Sequence, residues 1–220
     1  MPSFAGVKRR LRQTFHPTAI DQFMKDVQGW TSYEQLEFLV QNVRALPDNA
    51  IIVEVGVWHG RSALAMAEAC RGTNKHVYAI DPWQSYTAEV DGAGYDAAEI
   101  VKNSGLESFD QVLEIFKNHI QRFELGPYMT PIQAMGVDVA RTWDRGPVSF
   151  VFIDASHTYQ AVSADLESWS TLSPTICGDD WDFTGDGTER SVEAAVRDFL
   201  SRHEEWRLSL PIANTWMLRR

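Results

Sequence analysis

Short unbroken apolar runs alternate along this chain with longer stretches in which apolar residues recur at every third or fourth position. The first pattern suits parallel strands covered on both faces; the second suits amphipathic helices laid against them. The clearest run, Ile51-Ile52-Val53-Glu54-Val55, predicts a buried strand that ends near an acid and turns through Gly56-Val57-Trp58-His59-Gly60 into a helix over 63–71. His76-Val77-Tyr78-Ala79-Ile80-Asp81 repeats the pattern one helix later, a weaker strand is predicted over 129–134, and two more over 147–153 and 174–181. Residues 206–210 and 215–219 then predict a final antiparallel pair joined across Pro211-Ile212-Ala213-Asn214.

Helices are predicted over 18–27, 32–46, 109–123, 158–172 and 191–203. That over 32–46 carries the fullest signals: Thr31 or Ser32 as cap, Leu36, Leu39, Val40 and Val43 on one face, and Pro47-Asp48-Asn49 as the stop. Helices 18–49 precede the first strand and are expected either to cover the site or to form a homo-oligomer interface. Residues 82–108 are too long for a routine connection and rich in Gly, Tyr, Ser and acids, including Trp83, Tyr86, Asp91-Gly92-Ala93-Gly94 and Tyr95. They leave from the strand carrying Asp81, and such segments commonly serve as lids, so a substrate lid is expected here.

At 220 residues the chain suits one α/β domain over 18–220. No apolar run approaches the length of a membrane span and the N-terminus lacks the apolar stretch of a secretory signal, which makes the cytoplasm the default expectation and a membrane partner unexpected. Cys70 and Cys177 read as buried thiols of a reducing compartment. The formal net charge is −10, yet the charged residues among the first sixteen are Lys8, Arg9, Arg10 and Arg12. Beyond this basic arm, 1–17, the chain is strongly acidic, which argues against a nucleic-acid partner and for a small-molecule acceptor.

Candidate chemistry clusters at the strand ends. Gly56 and Gly60 lack a Cβ, so the backbone there can approach a ligand, and Ser62 opens the following helix with its free N–H groups. Asp81, at the end of the second strand, stands where α/β folds hold the hydroxyls of a ribose. The spacing Glu54-x-Gly56-x-x-x-Gly60 departs from the G-x-G-x-x-G of nicotinamide folds. It resembles instead the class I S-adenosylmethionine-dependent methyltransferases. That resemblance implies a Rossmann-like, seven-stranded, mostly parallel sheet with an antiparallel last strand and helices on both faces. It further implies a methionine site at Glu54, Gly56, Gly60 and Ser62, a ribose on Asp81 beside Trp83, and an adenine flanked by Ala134, Met135 and Gly136. His59 is expected to line the same pocket.

The fourth strand ends in Asp154-Ala155-Ser156-His157 and the fifth in Asp179-Asp180-Trp181. Both ends lie on one edge of a parallel sheet, and three converging carboxylates raise one another's pKa unless a cation resolves the conflict. Mg²⁺ or Mn²⁺, hard ions that prefer oxygen, suit Asp154, Asp179 and Asp180. One objection is geometric: neighbours in a regular strand point to opposite faces, so Asp179 and Asp180 can share an ion only if the backbone leaves the sheet. The alternative is that one acid caps a turn and the other is solvated. The order of these motifs resembles the metal-dependent O-methyltransferases of the catechol and macrolide-sugar types, and implies transfer of a methyl group to a hydroxyl of a sugar or other vicinal diol with His157 as base. A metal-independent methyltransferase, or a non-catalytic protein that keeps the cofactor pocket, are the readings left beside it. The loop 182–190 is a second candidate for acceptor contacts.

Overall fold

The computed structural model describes residues 17–84, 97–184 and 190–220. The basic arm up to residue 16, the middle of the expected lid with Tyr86, Asp91 to Gly94 and Tyr95, and residues 185–189 lie outside the described residues. Helices α1 (Pro17–Asp26) and α2 (Tyr33–Ala45) precede β1 (Ile51–Val55), α3 (Arg61–Glu68) and β2 (His76–Asp81). They are followed by α4 (Ala97–Asn103), α5 (Phe109–Arg122), β3 (Met129–Gln133), α6 (Gly136–Arg141) and β4 (Val148–Ile153). The chain closes with α7 (Tyr159–Ser170), β5 (Thr175–Gly178), α8 (Ser191–Arg202), β6 (Arg207–Ile212) and β7 (Thr215–Arg219).

The strands form one sheet in the order β3-β2-β1-β4-β5-β7-β6, parallel except for β7, which runs antiparallel to both neighbours. Strand order reverses between β1 and β4, which places a crevice above their carboxyl ends. Register sharpens this: Val55 pairs with Ile80 and with Ile153, and Ile153 pairs with Gly178. The residues that follow, among them Gly56, Asp154 and Asp179, therefore emerge side by side.

Successive strand residues point to opposite faces, and both faces are covered. Ile52, Val77 and Phe152 pack beneath α1, α2, α3 and α5, whereas Val53, Ile80 and Val151 pack beneath α7 and α8 with Leu166, Trp169 and Phe199. This is why β1 shows no polar alternation. The helix starts are set by hydroxyls: Ser32 Oγ accepts the Gln35 N–H at 3.2 Å and Thr158 Oγ1 accepts that of Ala161 at 3.2 Å. Among the described residues no helix is long and apolar enough to cross a membrane.

Three boundaries differ from expectation. Residues 97–103 of the expected lid form α4, so its loop is shorter than the composition suggests. Helix α3 stops at Glu68 because the next turns tighten to bonds three residues back, Cys70 N–H to Ala67 and Arg71 N–H to Glu68. Strand β6 runs through Pro211 to Ile212, which an edge strand with a register shift tolerates, and the connection to β7 is only Ala213-Asn214.

Candidate active site

The turn after β1 is built on contact between strands. Gly56 has φ of 85°, and a Cβ there would run into the backbone carbonyl of Asp154. Its N–H donates to Ile80 O at 2.9 Å, while the Asp154 N–H donates to Val55 O at 2.8 Å. The turn of β1 and the acid at the end of β4 are thus direct neighbours. Gly60, φ 87°, faces the Phe116 ring, which occupies the space of a side chain. Both glycines are required by packing within the protein as well as by their positive φ.

Glu54 points to the α3 side of the sheet and is fully enclosed. Its Oε1 accepts the Ser62 hydroxyl, while Oε2 has no partner. Burial pushes its carboxyl up to about 8, with Ser62 opposing and Asp81 reinforcing the shift. Asp81 organises the turn: Oδ2 accepts the N–H groups of Val57 and Trp58 at 2.8 and 3.0 Å, and Oδ1 accepts that of Trp83 at 2.7 Å. Burial raises the pKa of Asp81 against these three bonds. A carboxylate offers about four lone-pair sites, so three bonds leave one for a ligand hydroxyl. His59 is buried with Nε2 unpartnered, and burial, aided by His119, depresses its pKa to about 4, so the ring is neutral. The buried indole nitrogen of Trp58 is likewise unpartnered, and the exposed Trp30 leans on that ring at 5.6 Å. Met135 stands at the N-cap of α6, and a Cβ on Gly136 would lie 2.5 Å from Val55 Cγ1. Trp83 does not face a pocket: its indole N–H donates to Trp58 O at 3.0 Å and its ring stacks on Phe116 at 5.6 Å. It is buried against the turn that follows β1.

On the other side of Gly56 the acids converge. Asp154, His157 and Asp180 each place one ligating atom within 4.8 Å of the others. β5 ends at Gly178, where the Trp216 ring fills the space of a side chain, and Asp180 then takes φ of 60°. The backbone leaves the sheet at the acid pair, but the ligating atoms that meet belong to Asp154, His157 and Asp180, so the expected set Asp154, Asp179 and Asp180 is corrected: the chain turns Asp180 into the group and leaves Asp179 outside it. Left-handed backbone is tolerated by Asp when local bonds hold it, and two do: Asn214 Nδ2 donates to Oδ1 at 2.9 Å and His157 Nε2 lies 2.9 Å from Oδ2. Asp179 sits alongside, its main-chain N–H donating to Ile153 O at 3.2 Å.

These groups perturb one another. Burial, then the charge of Asp179, holds the Asp154 carboxyl well above the ordinary range. Burial and Asp180 raise Asp179 as well. Burial disfavours protonation of His157, but the bond to Asp180 and the surrounding carboxylates outweigh it and raise its pKa. For Asp180 burial is likewise the largest effect, and His157 and Asn214 overcome it and lower the pKa. Asp154 and Asp179, which resist ionisation beside an ionised Asp180, fit a cation, and the unpartnered Glu54 oxygen at the end of β1 fits a cationic ligand group.

Of the expected site residues, Asp154, His157 and Asp180 are brought together, Asp179 stands beside them, and Glu54, Ser62 and Asp81 line the turn. One residue was missed: Asn214, whose side chain holds Asp180 at 2.9 Å, reads in the sequence as a turn residue only.

Residues 53–175 match the family model described as a methyltransferase domain. The fold is shared with the O-methyltransferase NovP, at TM-score 0.65 and 16% identity over 87% of this chain and 83% of that one. It is shared with the O-methyltransferase from Bacillus cereus in complex with SAH, at 0.63 and 16% over 98% and 97%. The SAH-bound methyltransferase PaMTH1 from Podospora anserina matches at 0.61 and 12% over 100% and 97%.

Proposed function

This chain belongs to the methyltransferase-domain family, S-adenosylmethionine-dependent enzymes, and from that premise we propose that it methylates a hydroxyl oxygen of a small molecule with the help of a divalent ion, Mg²⁺ or Mn²⁺. The acceptor is a sugar or another vicinal diol. One observation carries the reading: the Asp154, His157 and Asp180 cluster is hydrogen-bonded to the end of β1 and so opens directly onto the turn that holds Glu54 and Asp81.

When bound, S-adenosylmethionine supplies a methyl group on a sulphonium centre, and a hard divalent ion lowers the pKa of a coordinated hydroxyl. Glu54 Oε2 accepts from the methionine ammonium, a cation that favours the ionised carboxylate. Asp81 holds a ribose hydroxyl with the capacity its three backbone bonds leave. Asp154 and Asp180 hold the ion with Asp179 beside them, and the two oxygens of a vicinal diol suit the places that protein ligands leave open. His157 would take the hydroxyl proton at the ring nitrogen that Asp180 leaves free, Asp180 holding the ring by accepting from Nε2 at 2.9 Å. Trp30 and Trp58 offer an apolar wall at the rim for a ring-bearing acceptor.

A second role for His157 is favoured by its place within 4.8 Å of both acids: one ring nitrogen is itself a ligand. His157→Ala that keeps metal affinity and loses turnover supports the base; loss of both supports the ligand.

The test is methyl transfer from isotopically labelled S-adenosylmethionine to a panel of sugars and diols, using protein dialysed against EDTA. Turnover that returns with Mg²⁺ or Mn²⁺ and falls when one of the two acceptor hydroxyls is removed is expected. Turnover indifferent to chelator would replace this reading with metal-independent methyl transfer.

A further inference from the structure

We propose that Phe183, in the loop that follows β5, is a positioning residue for His157, its ring setting the plane of the imidazole whose Nε2 atom Asp180 holds. The inference rests on the reading of His157 as the base and adds the residue that fixes how that base is aimed.

Phe183 is the one aromatic residue in a polar stretch, Asp182-Phe183-Thr184-Gly185-Asp186-Gly187-Thr188-Glu189-Arg190. Its contacts are therefore informative. The side chain is half-buried and packs against the core formed beneath α7 and α8. Its ring centroid lies 4.7 Å from that of His157, with the two planes at 62°. This is the edge-to-face arrangement that aromatic rings prefer, in which the direction of one ring constrains that of the other.

Both partners of the contact have anchored main chains. The Phe183 N–H donates to Asp180 O at 2.9 Å, which closes a turn on the acid that binds His157. Inside that turn Trp181 N–H donates to Asn214 O at 3.1 Å and Asp182 N–H to Asn214 Oδ1 at 3.0 Å. On the other side, the His157 carbonyl accepts the Ser191 hydroxyl at 2.5 Å from the start of α8. Rotation of the imidazole is the freedom that remains. The bond from Nε2 to Asp180 at 2.9 Å fixes one atom of that ring, and a single point does not define a plane. Phe183 supplies the second constraint, so that Nδ1, the nitrogen left to accept a proton, keeps one direction. A base must lie within hydrogen-bond reach of the proton it takes, so this direction matters as much as basicity.

The experiment is nitrogen-15 NMR of the histidine side chains in the full chain without ligands, at an alkaline pH where the imidazoles are neutral. It compares the wild type, Phe183→Ala and Phe183→Leu, with His157→Asn to assign the signal. The wild type is expected to show His157 as a single tautomer protonated at Nε2. Phe183→Ala is expected to show averaged nitrogen shifts and an Nε2 proton that exchanges with solvent about tenfold faster. Phe183→Leu, which restores apolar bulk against the imidazole, is expected to recover the wild-type signal. If Phe183→Ala fails to fold, Phe183→Val, whose side chain stops short of the imidazole, takes its place with the same expected change. Melting temperatures separate packing from positioning: a variant that melts earlier while His157 keeps its wild-type signals overturns the positioning role and leaves the base reading intact. A wild type in which His157 already exchanges between tautomers overturns the hold of Asp180, and the base reading with it.

Discussion

Glu54 shows how one side chain prepares the pocket and costs stability while doing so. Burial raises its pKa to about 8, so between about 4.5 and 8 the folded chain holds a proton that the unfolded chain has released. Stability must then fall as pH rises through that window, by about 3 kcal/mol at pH 7 for this group alone. The raised pKa of His157 acts in the same direction, since its contribution is present at low pH and is lost as pH rises through the folded-state value. Ligand-free protein is accordingly expected to lose stability from pH 5 to pH 8 in urea titrations, and Glu54→Gln to flatten that slope by about 3 kcal/mol; an unchanged slope would refute this assignment. Gly56→Ala tests the contact between β1 and β4. With positive φ and the Asp154 carbonyl in the way, it is expected to cost about 3 kcal/mol or more by the same measurement.

At the scale of elements, the site is made where strands stop, and what stops them lies elsewhere in the chain. Trp216 of β7 packs against Gly178, and the β6–β7 turn supplies Asn214, whose side chain holds Asp180 and accepts the Asp182 N–H at 3.0 Å. Asn214→Ala is expected to lower metal affinity about tenfold with a small loss of melting temperature, read by calorimetry and thermal denaturation. Arg61 ties the N-terminal helices to the cofactor turn: Nε and Nη2 donate to Val27 O at 2.8 and 2.6 Å, and Nη1 to Thr31 O at 3.3 Å. Arg61→Ala should loosen the segment between α1 and α2, seen as faster hydrogen exchange over 27–32, while exchange in β1 and β4 stays unchanged. The apolar runs made the strands legible because both faces of the sheet are buried, and the hydroxyl caps made α2 and α7 legible. A partner such as Asn214 was not, since its meaning depends on Asp180, far away in sequence.

For the whole molecule, topology does what no single motif could. Reversal of strand order between β1 and β4 brings three acid-ending strands to one edge, and the register puts Asp154 and Asp179 next to the glycine turn. A net charge of −10 concentrates carboxylates in the chain, and a cation at the meeting point proposed above would relieve their mutual repulsion. The direct measurement is anomalous diffraction from crystals grown with S-adenosylhomocysteine and Mn²⁺, because it needs no knowledge of the acceptor. The account predicts the cofactor product over Glu54 and Asp81 and an anomalous peak bonded to Asp154 and Asp180. Clear density for S-adenosylhomocysteine with no anomalous signal at these acids would contradict it.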